Sequence, residues 1–435
     1  MDSTVRLYPE QEAILSELES NPRALVVAQT GSGKTLVGLR RIQAILDRQT
    51  TERRALFLAP TNILVSQHFE SFKRLSRFPV HVVKAGSKVL DFSAQGVYLS
   101  TGHYASYFSE NLVKSLFKVI IFDESHKASS VNSPYKKVLD SLDPTFIYGL
   151  TASPGKKNVM KNILKNLKLD HVVYGKRPHS FNVKVSYVQV KNHSVVNQTY
   201  NTYVNWLTTS YPSLYHHLKL PKNGVTQHLI KNKLKTMKTI QQLGIPLHQY
   251  YRFFHLSYCG YLFYYECYDA FFKYYSKLRQ RYSFEKYYHF KRVLNQKIHP
   301  KKFQVLLDLL RGQENTSLVF FQNYETALSC KDYLLKNNFK EEELKVIAGK
   351  SKISPKVRDE IVKKTHSSEV KVLLSTSVVE EGIDIRGVDR VVFYKPIYNK
   401  IRVIQREGRT GRHRDGSVDI LYYHNSEEEK IKDVL

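Results

Sequence analysis

The sequence predicts an α/β protein in which two parallel-sheet domains are separated by a helical insert domain, and three observations carry that expectation. Short β-branched and aromatic runs, each ending in Gly, Ser, Thr or Asn, recur through the first third of the chain. The same rhythm returns in the last third, and between the two it stops. A continuous apolar run with a small polar ending is what a strand buried on both faces looks like, and its functional groups lie at the carboxyl end.

In the first third the runs are RALVVAQTGSGKT, ALFLAPTN, GVYLSTG, KVIIFDESH and TFIYGLTAS. In the last third they are SLVFFQN, LKVIAG, VKVLLSTS and RVVFYKP, with helix-like stretches between them. From about Phe181 to Ile298 longer segments rich in Tyr, Phe, His, Lys and Leu take over. QTYNTYVNWLTTSYPSLYHHL and HLIKNKLKTMKTIQQLG read as helices, the second ending at a glycine. The expected domains are therefore residues 1–180, 181–298 and 299–435. The dense tyrosines of residues 250–290 read most simply as the core of the insert, with base-stacking aromatics at an exposed edge as the alternative.

A chain of 435 residues can bury two or three cores of ordinary size. Its net charge is +28, and residues 156–300 hold 24 Lys and Arg against 4 Asp and Glu, so +20 of that excess lies in the middle third. Such a concentration is the electrostatic footprint of a protein that binds a phosphate backbone, although a basic solvated face with no polyanion has the same composition. Cys259, Cys267 and Cys330 are an odd set without metal-type spacing, which suits a reducing compartment and no disulfide frame or structural metal. The N-terminal MDSTVRLYPEQEAIL carries acids early and lacks the apolar core of a secretory signal. The run YCGYLFYYECYDAFF is interrupted by Glu266 and Asp269 and is shorter than the roughly 20 residues of a membrane span. The expectation is a soluble intracellular monomer with no membrane partner, cytoplasmic in a prokaryote or virus and nuclear in a eukaryote.

Three segments carry chemistry. VVAQTGSGKT, residues 26–35, is a phosphate cradle of the form G-x-x-x-x-G-K-[ST], with Ala28 at the turn's entry where the pattern has glycine. Gly31 and Gly33 permit close backbone approach, Thr30 and Ser32 complete the loop, Lys34 reaches β and γ phosphates, and the Thr35 hydroxyl suits Mg²⁺. In KVIIFDESHK a buried strand delivers Asp123, which can hold Mg²⁺ through water, and Glu124, which can take a proton from an attacking water. In QREGRTGR, residues 405–412, a helix would put Arg409 and Arg412 on one face, suited to a γ-phosphate in its transition state. Lys34 lies in the first α/β unit and the arginines in the second, so a complete ATP site is expected only when the two close on a shared nucleotide.

These residues, in this order, resemble the superfamily 2 helicases. AQTGSGKT is similar to motif I, APTNILVSQHF to Ia, LSTGHYA to Ib, DESH to II, TAS (Thr151 to Ser153) to III, LVFFQNYETA to IV, LLSTSVVEEGIDI to V and QREGRTGR to VI. LTASPG, STSVVEEGIDIRGVDRVVFYKP and IQREGRTGR resemble more narrowly the branch of archaeal Hef and the Fanconi-anaemia complementation group M translocase. That branch, like RIG-I and Dicer, carries a helical insert between two RecA-like domains. The resemblance implies that Gln11 reads adenine, that Gly382 and Asp384 sense nucleotide and ribose, and that Gln405 orients the attacking water. Thr61, Thr101, Gln322 and Thr376 match positions that touch the nucleic-acid backbone, contacts that position a strand without reading it.

Motif II has Ser125 where Hef has alanine and the RIG-I branch cysteine, and motif Ib has Gly102 in place of the usual proline. The sequence stops roughly twenty residues past motif VI, so Hef's nuclease half is expected to be lacking. The function expected is an ATP-dependent DNA helicase or translocase that remodels forks or junctions in repair or recombination, with the insert gripping DNA through Lys231, Lys233, Lys235 and Lys238 and, failing those, Arg279, Arg281, Lys291 and Arg292. A double-stranded RNA translocase of the RIG-I or Dicer kind is the rival enzyme, and an ATPase-dead junction scaffold is the rival from another class.

Overall fold

The computed structural model describes residues 6–29, 31–85, 91–175, 183–221, 225–281, 298–313, 315–349, 351–376, 385, 388–396 and 416–433. They divide into two compact units, one up to residue 175 and one from residue 183 onward.

The first unit runs α1 (Pro9–Ser20), β1 (Arg23–Ala28), α2 (Lys34–Asp47), β2 (Arg54–Ala59), α3 (Asn62–Leu75), β3 (Val80–Val83), β4 (Gly96–Thr101), α4 (Gly102–Phe108), β5 (Val119–Phe122), α5 (Pro134–Ser141), β6 (Phe146–Thr151), α6 (Lys157–Asn166) and β7 (His171–Gly175). Its seven strands lie in the order β3-β4-β2-β5-β6-β1-β7, every pair parallel. The runs that read as buried strands are buried: Leu25, Val26, Leu56, Phe57, Leu58, Ile120, Ile121 and Leu150 have no exposed surface. All five expected strands of this unit form. The sheet adds β3 and β7 at its two edges, short strands whose half-exposed residues lack the continuous apolar signal.

The second unit contains β8 (Val183–Val190), α7 (Ser194–Ser210), α8 (Pro212–His217), α9 (Val225–Lys231), α10 (Lys233–Gln242), α11 (Leu247–Tyr265), α12 (Tyr268–Arg281), α13 (Lys301–Leu310), β9 (Thr316–Phe320), α14 (Tyr324–Lys336), β10 (Leu344–Ile347), α15 (Pro355–His366), β11 (Val372–Ser375), β12 (Val388–Phe393) and β13 (Gly416–Tyr423). Its strand order is β10-β11-β9-β12-β13-β8, again all parallel. The expected start of the insert at residue 181 needs correcting, because Val183–Val190 is a strand paired with β13 over its whole length. It is a half-exposed edge strand, with Val185 and Tyr187 exposed and Val190 buried, and the helical segment proper begins at Ser194.

Within that segment Pro212 ends one helix and starts the next, and the lysine-rich run breaks at Asn232 into α9 and α10. The tyrosines are largely core: Tyr250, Tyr261, Tyr264, Tyr265 and Tyr275 are buried, while Tyr251 and Phe272 are exposed. Helices α11 and α12 share one apolar cluster with the second sheet, and α7 to α11 enclose a smaller one around Leu229 and Phe253. Beneath them Lys302 Nζ lies 2.8 Å from Glu428 Oε2 with neither side chain exposed. Lys302 also donates to the carbonyls of Tyr394 at 2.9 Å and Leu421 at 3.4 Å. Burial pulls the Lys302 ammonium below its ordinary value, against the Glu428 and Glu266 charges that support it. The three cysteines are free and buried, and among the described residues no cluster of metal-ligating side chains occurs.

Candidate nucleotide and nucleic-acid site

In the first sheet β6 lies between β5 and β1. The loops that leave β1 and β5 therefore flank the carboxyl end of β6, at about two strand spacings, roughly 10 Å. That end is where a parallel sheet collects functional groups.

The loop after β1 turns through left-handed Gly31 (φ 83) and Gly33 (φ 78), and Lys34 opens α2. A side chain at Gly33 would meet Gln11, because a Cβ there would lie 2.2 Å from Gln11 Nε2. Gln11 is buried, donates to the Ser32 carbonyl at 3.0 Å and accepts from the Tyr8 N–H at 3.1 Å. The residue expected to read adenine is thus built into the wall of the phosphate loop. Lys34 Nζ donates to the carbonyls of Ala28 at 2.7 Å and Gln29 at 3.0 Å, which puts a cation at the loop's mouth. Among the described residues the buried Ser32 hydroxyl has no hydrogen-bond partner. Left-handed glycines, a lysine and an orphaned hydroxyl at a helix start suit a polyphosphate.

At the end of β5, Asp123 is buried and both its carboxylate oxygens are engaged. Oδ1 accepts the Glu124 N–H at 3.0 Å, and Oδ2 lies 2.9 Å from His68 Nε2. Burial alone would raise the Asp123 carboxyl; the hydrogen bond and charge of His68, the Lys34 charge and the Glu124 N–H outweigh it and hold the group below its ordinary value. Glu124 sits in the left-handed region (φ 48), and its Oε2, 3.2 Å from His126 Nδ1 but out of hydrogen-bond geometry, keeps its acceptor capacity. An ionised Asp123 beside Lys34, with the Thr35 hydroxyl in the first turn of α2, fits a Mg²⁺ that takes few protein oxygens and keeps waters and phosphates as its other ligands. Bound there, the ion would neutralise phosphate charge.

Motif III enters between these loops. The Thr151 hydroxyl donates to the Ser153 carbonyl at 3.1 Å and lies 3.4 Å from His126 Nδ1. Ser125, the departure in motif II, is buried and donates to the Leu150 carbonyl at 3.1 Å, tying the acids to β6. Gly102, the departure in motif Ib, is explained by Tyr135: a Cβ there would lie 2.1 Å from the Tyr135 ring.

Thr61, just past β2, and Thr101, the last residue of the adjacent strand β4, cap α3 and α4, accepting from the N–H groups of Leu64 and Tyr104. In the second unit Gln322 and Thr376 hold the equivalent places beyond the adjacent strands β9 and β11, and Gln322 accepts from the Tyr261 hydroxyl at 3.3 Å. Each unit thus brings its own pair of expected strand contacts together. Lys235 and Lys238 are exposed on α10. Thr30, Gly382, Asp384, Gln405, Arg409, Arg412, Lys291 and Arg292 lie outside the described residues, as do the side chains of Lys231, Lys233, Arg279 and Arg281.

Sequence reasoning missed His68 and Tyr135. Neither stands in a phosphate-binding pattern, and each reaches Asp123 from a helix that spacing alone does not bring near it.

Two parallel sheets, a phosphate loop and an acid pair at the end of the fourth strand in sheet order define a class, and the chain carries the two domains from which superfamily 2 helicases are built. Residues 4–156 match the family described as "Type III restriction enzyme, res subunit", and residues 301–414 match the helicase conserved C-terminal domain. Within the class the chain is similar to the Hef helicase domain of Pyrococcus furiosus, with a TM-score of 0.67 and 24% identity over 97% of this chain and 96% of that one. Yeast Dbp5 bound to RNA and ADP BeF3 shares the fold at a TM-score of 0.61 and 16% identity, over 99% of this chain and 87% of that one.

Among curated proteins, the putative ATP-dependent RNA helicase MJ1505 of Methanocaldococcus jannaschii is 25% identical over 96% of this chain and 57% of its own length. The ATP-dependent DNA helicase fml1 of Schizosaccharomyces pombe is 42% identical over 18% of this chain and 9% of its own. The chain thus spans little more than half of the one relative and a small part of the other.

Proposed function

We propose that the chain is an ATP-driven translocase that remodels forked or branched DNA. The observation that carries this reading is the joining, within one sheet, of a phosphate loop and ionised Asp123 to Thr61 and Thr101, the expected strand contacts at neighbouring strand ends. Lys34 and Thr35 hold the triphosphate and Mg²⁺, Glu124 takes a proton from water, Gln405 orients that water, and Arg409 and Arg412 act on the γ-phosphate in the transition state. Thr61, Thr101, Gln322 and Thr376 track one strand through its backbone. The excess positive charge of residues 156–300 grips the duplex or branch. The DNA helicases named among the relatives support DNA as the substrate.

The second reading, a translocase on duplex RNA, is favoured by the archaeal relative named as a putative RNA helicase, whose alignment covers nearly all of this chain. An ATPase-dead scaffold is disfavoured, since Lys34, Asp123 and Glu124 are all present and Asp123 is held ionised. ATP hydrolysis measured with single-stranded DNA, duplex DNA, forked DNA, a four-way junction and duplex RNA decides among them. Highest turnover on fork or junction is the expected result. Highest turnover on duplex RNA establishes the second reading, and no turnover with any of them establishes the scaffold.

A further inference from the structure

His68 occupies a place where an apolar side chain would suffice for folding. It lies on the buried stripe of α3 between Val65 and Phe72, with the Phe57 ring 5.1 Å from its own and the Phe72 ring at 6.0 Å. A polar ring in such surroundings is unfavourable unless a partner satisfies it. Its Nε2 is 2.9 Å from Asp123 Oδ2, an acid 55 positions away that directly follows β5. With the Glu124 N–H on Oδ1, this fixes the plane of the carboxylate and so the direction in which its remaining lone pairs point.

The N-terminal cap of α3 is Thr61, whose hydroxyl accepts from the Leu64 N–H at 3.3 Å. Thr61 and His68 are seven residues apart, two helical turns and about 10 Å, on the same side of one rigid element. A displacement of the α3 N-terminus is therefore carried to the imidazole without passing through any flexible segment.

We propose that His68 is a positioning residue: it orients the Asp123 carboxylate toward the nucleotide-bound Mg²⁺ and couples that orientation to a nucleic-acid strand held at Thr61. This rests on the functional reading above. A hydrogen-bonding partner behind a metal-binding group commonly governs about 10- to 100-fold in metal affinity or activity, which sets the expected size of the effect.

The test compares His68→Phe, which fills the stripe and removes the hydrogen bond, with His68→Gln, which retains a side-chain N–H. The first readout is the affinity for a fluorescent ADP as Mg²⁺ is titrated, with no nucleic acid present. The Mg²⁺ needed for half-maximal binding should rise about 10-fold or more in His68→Phe and return most of the way in His68→Gln, with both variants melting close to the parent. The second readout is the ratio of ATP turnover with and without single-stranded DNA, which should fall about 10-fold in His68→Phe while the DNA affinity stays within about 2-fold of the parent.

Parental Mg²⁺ dependence in His68→Phe overturns the proposal. So does an equal loss in both variants that tracks a lowered melting temperature, since that is the mark of a packing role. A parent whose turnover no nucleic acid stimulates defeats the functional reading instead, and the Mg²⁺ titration still decides the orienting role of His68 by itself.

Discussion

The Tyr135 hydroxyl donates to the Asp123 carbonyl at 2.8 Å, and the ring that carries it lies where a side chain on Gly102 would have to be. Burial, with the Asp123 and Glu124 charges behind it, raises the Tyr135 hydroxyl well above its ordinary value, so it stays a neutral donor. Gly102→Ala should therefore act as an overpacking change, lowering the stability of the first unit by about 1–3 kcal/mol in a denaturant titration. Tyr135→Phe keeps the ring and removes one hydrogen bond, a loss of about 1 kcal/mol. If Gly102→Ala is as stable as the parent, the contact between Tyr135 and α4 is looser than these distances imply.

Lys34→Ala should reduce nucleic-acid-stimulated ATP turnover by about 10²-fold or more while leaving DNA affinity nearly intact, because the lysine serves phosphates and not the strand. Glu124→Gln should keep ATP binding and lose turnover. Parallel measurement of nucleotide binding and steady-state hydrolysis separates the two, and parental turnover in either variant contradicts the site.

Arg409→Ala should slow hydrolysis by roughly 10³-fold or more with little change in ATP affinity, the behaviour of an arginine that acts in the transition state. Equal losses of binding and turnover would make it a ground-state contact.

Lys302 and Glu428 offer a stability test away from the chemistry. Lys302→Met leaves Glu428 buried without its 2.8 Å partner and should lower the stability of the second unit by about 3–5 kcal/mol. The double change Lys302→Met with Glu428→Leu should lose less than the single one. Denaturant unfolding of the three chains checks the order, and a double variant less stable than the single would mean that the pair is worth more than its desolvation.

Replacing Lys231, Lys233, Lys235 and Lys238 by alanine should weaken junction binding more than single-strand binding. The slope of log K against log salt should fall by about 1 for each phosphate contact removed. Unchanged slopes on a four-way junction would assign these lysines to solvent.

The strands legible in the sequence, β1, β2, β4, β5 and β6 in the first sheet and β9 to β12 in the second, read as largely apolar runs because most of their residues are buried. Edge strands β3, β7 and β8 are half-exposed and hide among polar residues. Strand β13 is internal yet was equally hidden, because Asp419 interrupts it, buried with Oδ2 3.4 Å from Arg390 Nε. The site divides the same way. Lys34, Thr35, Asp123 and Glu124 sit in contiguous segments whose local pattern is their chemistry. His68 and Tyr135 act through tertiary contact, and helix periodicity labels both simply as core.

The placement of β8 has a consequence for synthesis of the chain. The first sheet has all seven strands once residue 175 has been made, so it can assemble while translation continues. Strand β8 emerges next, but its partner β13 begins at Gly416, which pairs with Val183. At about 5–20 residues per second that interval of more than 230 residues lasts roughly 10–50 s. Throughout it the alternating strand has no neighbour, and closing so long a loop is the slow kind of contact. The second sheet is thus the later of the two to form, and the nascent chain carries an unpaired strand edge until Gly416–Tyr423 have been made.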